Sequence, residues 1–600
     1  MKKKSLGLGF PDEISKGGTI FGHFKKGREY DWKDMFLPGY QSEQIQEKDN
    51  LRILFFGILT VCLFFILFLR LFHLQIVKGE ENRIRAEGNR IKVKVIHAPR
   101  GVIFDRNGKL LAQNQAGFRI IDPQTAKATV LTREQALELE AINDPQAPLL
   151  EVDNIRSYPE GEQTAHVVGY VGEISQEQLR NEKYKKDYKI GDKLGISGVE
   201  ASYEEYLRGI DGGEIIEVDA KGDTLRVLGT VHPTAGNNLV LSLDLGLQKI
   251  AFQSLIGVLQ KVGSCCGAAI VSDPETGEIL SLVSLPTFDP NIFETDDEKV
   301  EEILSAKNFP ILNRAIGGVY SPGSTFKIVS SAAALASDKI TPQTEVLDLG
   351  QIVISGQKFS NWYFTQYGKT EGSVNLVKAL KRSTDTYFYW IGQTLGEGPL
   401  IDWARKFKMG TKLGIDIPGE VEGLVPDPAW KQKNQDLPWY PGDTLHLSIG
   451  QGFILTTPLQ VQGLVSYVGG DGKLYKPHLL QNTNPKILIK DLISSKNLKV
   501  IKEGLEEVTR AGGTAWPFFN FPIKTAGKTG TAEYGDPKGR THAWYTSFAP
   551  VDNPKIAVTV LVEGGGEGSS VAAPVVKEIM RYYFSEDKNN LIKDIYPVEK

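Results

Sequence analysis

A long apolar run near the N-terminus limits what this chain can fold into more than any other feature. Residues 53–69 carry no charge, and the apolar stretch resumes at 71–76 after Arg70. The 17 uncharged residues lie at the short end of what spans a bilayer. A largely polar segment, 1–50, precedes the run and no small-residue cleavage site follows it, which disfavours a cleaved signal peptide. We therefore expect one transmembrane helix over residues 51–76.

The charges that flank this helix do not orient it. Ten Lys and Arg residues lie in 1–52, and nine lie between Arg70 and Arg106. Topology follows an excess of positive charge on one side, and here the two sides nearly balance.

Length and composition exclude several functions. Six hundred residues exceed one hydrophobic core and suggest two or three domains, and 41% hydrophobic with 24% charged residues is ordinary globular composition. The net charge of −4 gives no indication of nucleic-acid binding.

Eight His and three Cys show no ligand spacing, so we expect no metal site. Three Cys are too few for a disulfide framework, and the adjacent Cys265 and Cys266 are expected to be small core residues rather than a redox pair.

One candidate nucleophile lies in an S-x-x-K sequence at residues 324–327. About two such matches are expected by chance in a chain of this length, and there are three. The match at 355–358 contains Gly in a polar stretch and the one at 585–588 lies in a charged tail, so neither has a scaffold to hold Ser against Lys. Ser324 follows a Ser-Pro-Gly turn and precedes an apolar run typical of a buried helix. This pattern predicts Ser324 in the first helical turn, with Lys327 on the same face and its amine directed at the hydroxyl.

A second motif, Lys528-Thr529-Gly530, can supply the charge that this chemistry needs. A serine hydroxyl is a poor nucleophile near neutral pH, and Lys327 can activate it only if burial or a cationic neighbour lowers the pKa of the amine. Lys528 can be that neighbour. The motif lies in a Thr- and Gly-rich run expected to be an edge strand that a ligand approaches closely. A phosphate-binding loop is excluded because the Gly it requires is replaced by Pro522.

A third segment, Ser383-Thr384-Asp385, completes a set of motifs that resembles class B penicillin-binding proteins. The resemblance extends to residues 97–108, 286–291 and 313–315 and spans most of the chain. Two features are similar to the elongation-type members of this class: the Asp at the third position of Ser-x-Asp, and the segment HAWY that begins at His542. Division-type members more often have Asn at that third position.

The resemblance implies an α+β fold with a single N-terminal transmembrane helix. An elongated, β-rich pedestal and then a transpeptidase domain, with an antiparallel sheet flanked by helices, would follow. The boundaries expected for the cytoplasmic segment, helix, pedestal, transpeptidase domain and C-terminal tail are 1–50, 51–76, 77–235, 236–584 and 585–600.

The resemblance also implies a reaction, the transfer of a D-alanyl-D-alanine stem peptide of peptidoglycan to a neighbouring amine. Ser324 would attack the penultimate carbonyl and Lys327 would take its proton, while Ser383 would relay a proton to the leaving D-alanine. The backbone N–H groups of Ser324 and Thr531 would form the oxyanion hole. The cationic strand edge would hold the substrate carboxylate, with Lys528 assisting catalysis. The substrate-binding residues expected there are Thr529, Gly530, Thr531 and His542.

Several assignments keep alternatives. Ser383 can instead cap a helix that starts at Thr384. Asp385 adds negative charge beside Lys327, which favours the protonated amine, so it acts either directly or by holding Lys327 in place. His542 either packs in a strand or forms a wall of the site. A D,D-carboxypeptidase or β-lactamase-like hydrolase, and a β-lactam sensor or scaffold without turnover, would share the serine chemistry.

The family resemblance further implies partners and a location. The catalytic bulk would lie outside the cytoplasm, anchored in the bacterial inner membrane by a single helix, without a cofactor. Expected ligands are stem peptides and β-lactams. Expected partners are a SEDS-type glycosyltransferase and other membrane proteins of the elongation complex, because nothing in the chain resembles a glycan-polymerising domain.

Overall fold

A computed structural model describes most of the chain, in two compact units. The described residues are 48–121, 128–131, 133–142, 150–182, 184–185, 188–189, 191–219, 224–586 and 588. One unit contains the chain up to Lys92 together with Glu217–Leu225, and the other contains Val93–Ile216 and the chain from Arg226 onwards. Most of the expected cytoplasmic segment 1–50 and of the expected tail 585–600 lies outside the described residues.

The first unit contains the candidate membrane span. A helix over Lys48–Phe72 continues through a π-helical turn, His73–Val77, and the helix Gly79–Arg90 follows. Residues Arg52–Val77 are long and apolar enough to cross a bilayer by length and composition, and none of the window is buried inside the protein. The apolar run therefore forms a helix, as expected, and this helix is a candidate membrane span. Three strands have residues in both units: Ile91–Ile96, Gly212–Val218 and Thr224–Val231.

The N-terminal part of the second unit is rich in strands, as expected. Its longest strand, Leu110–Ile121, pairs antiparallel with Leu150–Ser157, Ala128–Leu131 and Ile103–Phe104. Leu239–Val240 then joins Ile103–Phe104 in parallel. A separate two-stranded sheet pairs Val171–Glu173 with Lys193–Gly195.

Buried ion pairs hold this region together. The Arg100 guanidinium bonds Glu200 and Glu204, each at 2.8 Å, and Arg156 reaches the same Glu200 at 2.7 Å. All four side chains are nearly or fully buried, so loss of one partner would leave an uncompensated charge in the interior.

A five-stranded antiparallel sheet forms the centre of the C-terminal part, and we call it the central sheet. Its strands, in spatial order, are Ile279–Leu285, Gly267–Ser272, Ile556–Val562, Thr541–Ala549 and Ala526–Glu533. Helices Leu245–Val262 and Ala572–Phe584 pack on one face, and Pro458–Gly469 packs on the other. Because both faces are covered, the inner strands Gly267–Ser272 and Ile556–Val562 are buried along their whole length rather than alternating. The last strand, which carries Lys528, is an open edge, as expected.

Helices and short hairpins fill the rest of the C-terminal part. The helix Lys327–Ala336 is buried over nine of its ten residues, as its apolar run predicted. The α-helices of the second unit are Arg133–Ala141, Ala165–Val168, Gln176–Leu179, Gly198–Ser202, Glu204–Leu207, Leu245–Val262, Asp297–Ser305, Arg314–Gly317, Lys327–Ala336, Trp362–Tyr367, Leu376–Arg382, Asp385–Leu395, Glu397–Lys406, Pro428–Gln435, Pro441–Ser448, Pro458–Gly469, Ser495–Val508 and Ala572–Phe584. The 3₁₀ turns within the described residues are Gly161–Gln163, Pro290–Glu294, Gly323–Phe326 and Trp516–Phe518. The small hairpins and pairs are Val346–Asp348 with Gly372–Val374, Gln351–Ile354 with Gln357–Ser360, and Lys473–Tyr475 with Ile487–Lys490.

The expectation for the adjacent cysteines is wrong. Cys265 and Cys266 are joined by a disulfide, and only Cys266 is buried, while Cys265 is exposed. The helix Leu245–Val262 ends at Gly263 in the left-handed conformation, and the strand begins only at Gly267. The intervening turn therefore leaves Cys265 at the surface instead of in the core.

Candidate active site

Ser324 lies in a turn that packs directly against the edge strand of the central sheet. The 3₁₀ turn Gly323–Phe326 leads into the helix Lys327–Ala336. Gly323 has a φ of +53°, and a Cβ there would lie 3.0 Å from the Thr531 carbonyl oxygen. Both the backbone conformation and this close approach require glycine. The turn thus brings the Ser324 backbone beside Thr531, whose N–H is the second expected oxyanion donor.

The other two S-x-x-K matches lack this setting. Ser355 is exposed at the tip of the hairpin between Gln351–Ile354 and Gln357–Ser360. Ser585 follows the end of the helix Ala572–Phe584. Neither begins a buried helix, so neither matches the arrangement around Ser324.

Lys327 is fully buried and connects the first motif to the third segment, Ser383-Thr384-Asp385. Its amine donates to the Ser383 carbonyl at 2.8 Å, to Ser383 Oγ at 3.1 Å and to Asp385 Oδ1 at 2.6 Å. Among the described residues, Ser324 is not one of its hydrogen-bond partners, so the direct bond to that hydroxyl suggested by the spacing is not formed. Burial lowers the pKa of Lys327, against the opposing effect of Asp385. Lys327 is thus closer to the neutral form that a base requires.

Ser383 and Asp385 lie at the junction of two helices. Ser383 ends the helix Leu376–Arg382 in the left-handed conformation, with a φ of +54°. Asp385 begins the next helix, and Thr384 before it provides no side-chain cap. The alternative role of Ser383 as a cap for that helix is therefore not what the structure shows. Its hydroxyl and carbonyl both face Lys327 instead.

Two neighbours hold Asp385 in place. Its backbone N–H donates to Asn361 Oδ1 at 3.3 Å, and its Oδ2 accepts from the Trp362 N–H at 3.4 Å. Asn361 is itself fully buried and bonded to Asp348. These supports went unpredicted, because they come from a loop more than twenty residues away whose sequence carries no motif.

Lys528 is the second fully buried lysine of the site. Its amine donates to the Thr529 carbonyl at 3.0 Å. The pKa of Lys528 lies well below its usual value because of burial and then the nearby charge of Lys327, with Asp385 acting in the opposite direction. The charge of Lys327 therefore disfavours the charged form of Lys528, whereas the pKa of Lys327 is lowered by burial rather than by Lys528.

The remaining residues of the edge strand differ in accessibility. Thr529 is nearly buried, and its hydroxyl is 2.7 Å from that of Thr514. A Cβ at Gly530 would lie 3.0 Å from the Trp544 side chain and 3.2 Å from the Pro322 carbonyl, so the strand can approach the Ser324 turn only without a side chain. Thr531 is exposed and available to a ligand. Gln451, which sequence reasoning missed, donates its amide to the Thr531 carbonyl at 3.3 Å.

His542 lies on the neighbouring strand, away from the lysines. Its ring stacks on Tyr534 at 4.1 Å and meets Tyr320 edge-on at 5.4 Å. Nδ1 accepts from the Gly564 N–H at 3.2 Å, and burial lowers the pKa of His542 to about 4. His542 therefore combines the two expected alternatives, since it packs in a strand and also lines a cavity beside the site.

These groups together can perform acyl transfer. A nucleophile-bearing turn, two buried amines with lowered pKa, a hydroxyl within hydrogen-bond distance of one amine and an exposed strand edge meet at one place. In the part of the chain that the structure describes, no three His, Cys, Asp or Glu side chains converge as metal ligands.

Comparison with known proteins identifies the family. The model of the penicillin-binding protein transpeptidase domain matches residues 267–581, and that of the penicillin-binding protein dimerisation domain matches 122–241. The peptidoglycan D,D-transpeptidase MrdA of Haemophilus influenzae is 32% identical over 620 aligned residues, which cover 91% of this chain and 93% of the relative.

Solved structures agree with the sequence matches. The chain is similar to penicillin-binding protein 2 of Helicobacter pylori, solved in complex with MreC, with a TM-score of 0.71 and 30% identity over 82% of this chain and 98% of that one. It is also similar to a chain of a peptidoglycan synthase complex described as coordinating polymerisation and crosslinking, with a TM-score of 0.69 and 32% identity over 88% of this chain and 98% of that one. With its three motifs brought to one site, the chain belongs to the penicillin-binding protein family and carries both a dimerisation domain and a transpeptidase domain.

Proposed function

We propose that this protein is a peptidoglycan D,D-transpeptidase that cross-links stem peptides during cell-wall elongation through an acyl-enzyme on Ser324. The observation that carries the proposal is the position of Lys327. It is buried, bonded to both Ser383 and Asp385, and begins the helix that the Ser324 turn precedes. The site thus joins a nucleophile, a base and a relay without a metal ligand set among the described residues.

In the acylation half-reaction, Ser324 Oγ attacks the carbonyl carbon of the penultimate D-alanine, and its proton passes to the neutral amine of Lys327. The C–O bond forms and the C–N bond to the terminal D-alanine breaks. The proton returns through the Ser383 hydroxyl to the leaving nitrogen. The N–H groups of Ser324 and Thr531 hold the oxyanion, and loss of one such donor typically lowers the rate by about 10²–10³.

In the transfer half-reaction, the amine of a neighbouring stem attacks the ester carbon. A new C–N bond forms as Lys327, neutral again after acylation, takes a proton from the attacking amine. The C–O bond to Ser324 then breaks, and Lys327 returns that proton to the serine oxygen. Lys528 and the hydroxyl of Thr531 hold the terminal carboxylate of the donor before it leaves, because a cation and hydroxyl groups at a strand edge suit that group.

The proposal includes a domain organisation and a cellular location for the protein. The apolar helix anchors the protein once in the bacterial inner membrane, residues 77–235 form the pedestal, and residues 236–584, which carry Ser324, work outside the cytoplasm. The relatives solved with MreC and within a peptidoglycan synthase complex support similar partners here. A SEDS-type glycosyltransferase is proposed as a further partner from the family resemblance alone.

Penicillin labelling followed by peptide mapping tests the proposal. A β-lactam amide resembles the scissile bond, so we expect one adduct, on Ser324. Ser324→Ala should remove the adduct and Ser355→Ala, the matched control, should keep it. An adduct on Ser355 or Ser585, or undiminished labelling of Ser324→Ala, would reject the assignment.

A second measurement separates transfer from hydrolysis. The acyl-enzyme formed from a D-alanyl-D-alanine donor is offered an acceptor stem peptide with a free side-chain amine. A cross-linked dimer is expected. Release of only the free acid would instead indicate a hydrolase, and a stable adduct without product would indicate a sensor.

A further inference from the structure

Asp348 is a buried carboxylate that the proposed reaction does not use. It ends the strand Val346–Asp348 and is only 3% exposed. It forms no ion pair with a Lys or Arg of the described residues. Glu371, which donates its backbone N–H to Asp348, pairs its own carboxylate with Arg382 at 2.8 Å. A buried carboxylate without a cation is costly unless hydrogen bonds replace the water that it has lost, so its hydrogen bonds indicate what it does.

Four donors surround the Asp348 carboxylate and use its full capacity. Oδ1 accepts from the Gly350 N–H at 2.8 Å and from the Thr386 hydroxyl at 2.7 Å. Oδ2 accepts from the Glu371 N–H at 2.8 Å and from the side-chain amide of Asn361 at 3.2 Å. A carboxylate has about four acceptor positions, and here each has a donor. A buried polar network whose members are all bonded is rigid, so Asp348 fixes the segments that donate to it.

One of these donors, Asn361, connects the network to Asp385. Asn361 is fully buried and precedes the helix Trp362–Tyr367, but its side chain does not cap that helix. Its Oδ1 instead accepts from the Asp385 N–H at 3.3 Å. The helix Asp385–Leu395 receives no side-chain cap from the residue before it, so Asn361 satisfies one of its free N–H groups. Because the other end of the Asn361 amide donates to Asp348, that carboxylate sets the orientation of the amide.

A second connection runs through Thr386, the residue after Asp385. Thr386 is only 4% exposed, and its hydroxyl joins the first turn of the helix to the end of the strand. Asp348 therefore holds Asp385 twice, at its backbone N–H and at the residue that follows. Asp385 Oδ1 lies 2.6 Å from the Lys327 amine. A hydrogen bond weakens steeply when its geometry is lost, so a small displacement of this turn would weaken that contact.

Two titratable groups of the described chain face the Lys327 amine. Asp385 contacts it directly, and Lys528 faces it from the edge strand of the central sheet. The Phe388 ring, 5.2 Å away, carries no charge. Burial lowers the pKa of Lys327, and Asp385 works against that effect. Since the attraction between charges falls with distance, the position of Asp385 determines how far it offsets the burial of the amine.

We propose that Asp348 is a positioning residue for acylation and that it holds Asp385 against the Lys327 amine. Asn361 and Thr386 transmit its effect, and none of its own hydrogen bonds reaches a catalytic side chain. The inference rests on the proposed function, because it takes acylation of Ser324 as the reaction. Without Asp348, the carboxylate of Asp385 should move away from the amine, and Lys327 should then become neutral at a lower pH.

The pH profile of penicillin acylation tests the proposal on the full-length protein in detergent. Rates are followed by intact mass between about pH 5 and 9. Asp348→Asn keeps the shape of the side chain but replaces one acceptor oxygen by an NH₂ group, which cannot accept from the donors around it. The acid limb should move to lower pH by up to about one unit, the shift that corresponds to exchanging a charged hydrogen bond for a neutral one. Acylation on that limb should thus become about twofold to tenfold faster.

A second variant removes a bond of the network without removing a charge. Thr386→Val keeps the size of the side chain but loses the hydroxyl that donates to Asp348, so it should move the acid limb in the same direction. It also decides the question if Asp348→Asn does not fold. Asp402→Asn is the matched control, because that carboxylate is exposed on the helix Glu397–Lys406, and it should leave the limb in place.

The same substitutions in an Asp385→Asn background show whether Asp348 acts through Asp385. In that background neither Asp348→Asn nor Thr386→Val should move the limb further, because the charge that the network positions is absent. A limb that stays in place or moves to higher pH in the single variants would overturn the proposal. So would an equal shift in the double variants, which would show that Asp348 acts on Lys327 independently of Asp385.

The outcomes separate this inference from the function on which it rests. If penicillin leaves Ser324 of the wild-type protein unlabelled, the proposed function itself is wrong. If penicillin labels Ser324 and the acid limbs of Asp348→Asn and Thr386→Val coincide with that of the wild-type protein, only the positioning role is wrong.

Discussion

Replacement of Asp385 by Asn measures how far its charge sets the proton affinity of Lys327. Asp385 Oδ1 lies 2.6 Å from the lysine amine, and the Lys327 side chain is fully buried while that of Asp385 is 15% exposed. Burial lowers the pKa of Lys327 and Asp385 works against it. Asn keeps the shape and an acceptor oxygen but removes the negative charge. The pKa of Lys327 should therefore fall further.

The size of the shift in the Lys327 pKa follows from the replacement of a hydrogen bond to a charged carboxylate by one to a neutral amide. A bond to a charged partner contributes about 1.5–3 kcal/mol, and a neutral one about 0.5–1.5 kcal/mol. The loss of about 1–1.5 kcal/mol corresponds to about one pKa unit. On the acid limb, where the neutral amine is scarce, acylation should become about tenfold faster, since the neutral fraction rises tenfold per unit. The alkaline plateau should stay level if the amine keeps its position.

Penicillin acylation rates between about pH 5 and 9 decide the matter. Asp402→Asn is the matched control, because that carboxylate is exposed on the helix Glu397–Lys406. An acid limb that stays in place or moves to higher pH in Asp385→Asn would refute the electrostatic role. A lower plateau with an unmoved limb would show that Asp385 only positions Lys327.

Three further results are expected. Lys327→Met should lower acylation by at least about 10²-fold, because it removes the base, without lowering the thermal midpoint; acylation at a near wild-type rate would require another base. Lys528→Met should raise the thermal midpoint more at about pH 6 than at about pH 10. The lowered folded-state pKa of Lys528 destabilises the protein fully at any pH below that pKa, and this destabilisation disappears as the pH rises towards the ordinary pKa of 10.5. An equal rise at both pH values would contradict a buried amine with a lowered pKa. Iodoacetamide should add one group to the denatured protein, on Cys62, and three after reduction, because Cys265 and Cys266 are paired; three groups without reduction would contradict the disulfide.

Local sequence pattern predicted those parts of the fold that depend on nearby residues. The apolar run gave the helix at the N-terminus, and the Ser-Pro-Gly turn before an apolar stretch located the start of the helix Lys327–Ala336. The Thr- and Gly-rich run around Lys528 gave the edge strand, because only such a run lets another backbone approach closely.

Contacts between distant segments were beyond that reasoning. The partners of Lys327 come from a junction 56 residues later in the chain, so spacing alone pointed the amine at Ser324. The Thr529 hydroxyl forms a hydrogen bond with the hydroxyl of Thr514, a residue that belongs to no motif. The exposure of Cys265 likewise depends on where the helix Leu245–Val262 ends, and sequence pattern places a helix end only to within one or two residues.

The left-handed backbone of Ser383 restricts which residues the protein can accept there. A residue with a Cβ in this conformation costs about 1–2 kcal/mol, which glycine would avoid. Glycine would keep the carbonyl that faces Lys327 but would lose the hydroxyl, and a longer polar side chain would displace the oxygen from its 3.1 Å contact. Substitutions that ease folding at this position thus remove the hydroxyl proposed as the proton relay. Mutational escape from an acylating drug through this residue should therefore be rare, since the same change that relieves the backbone disables cross-linking.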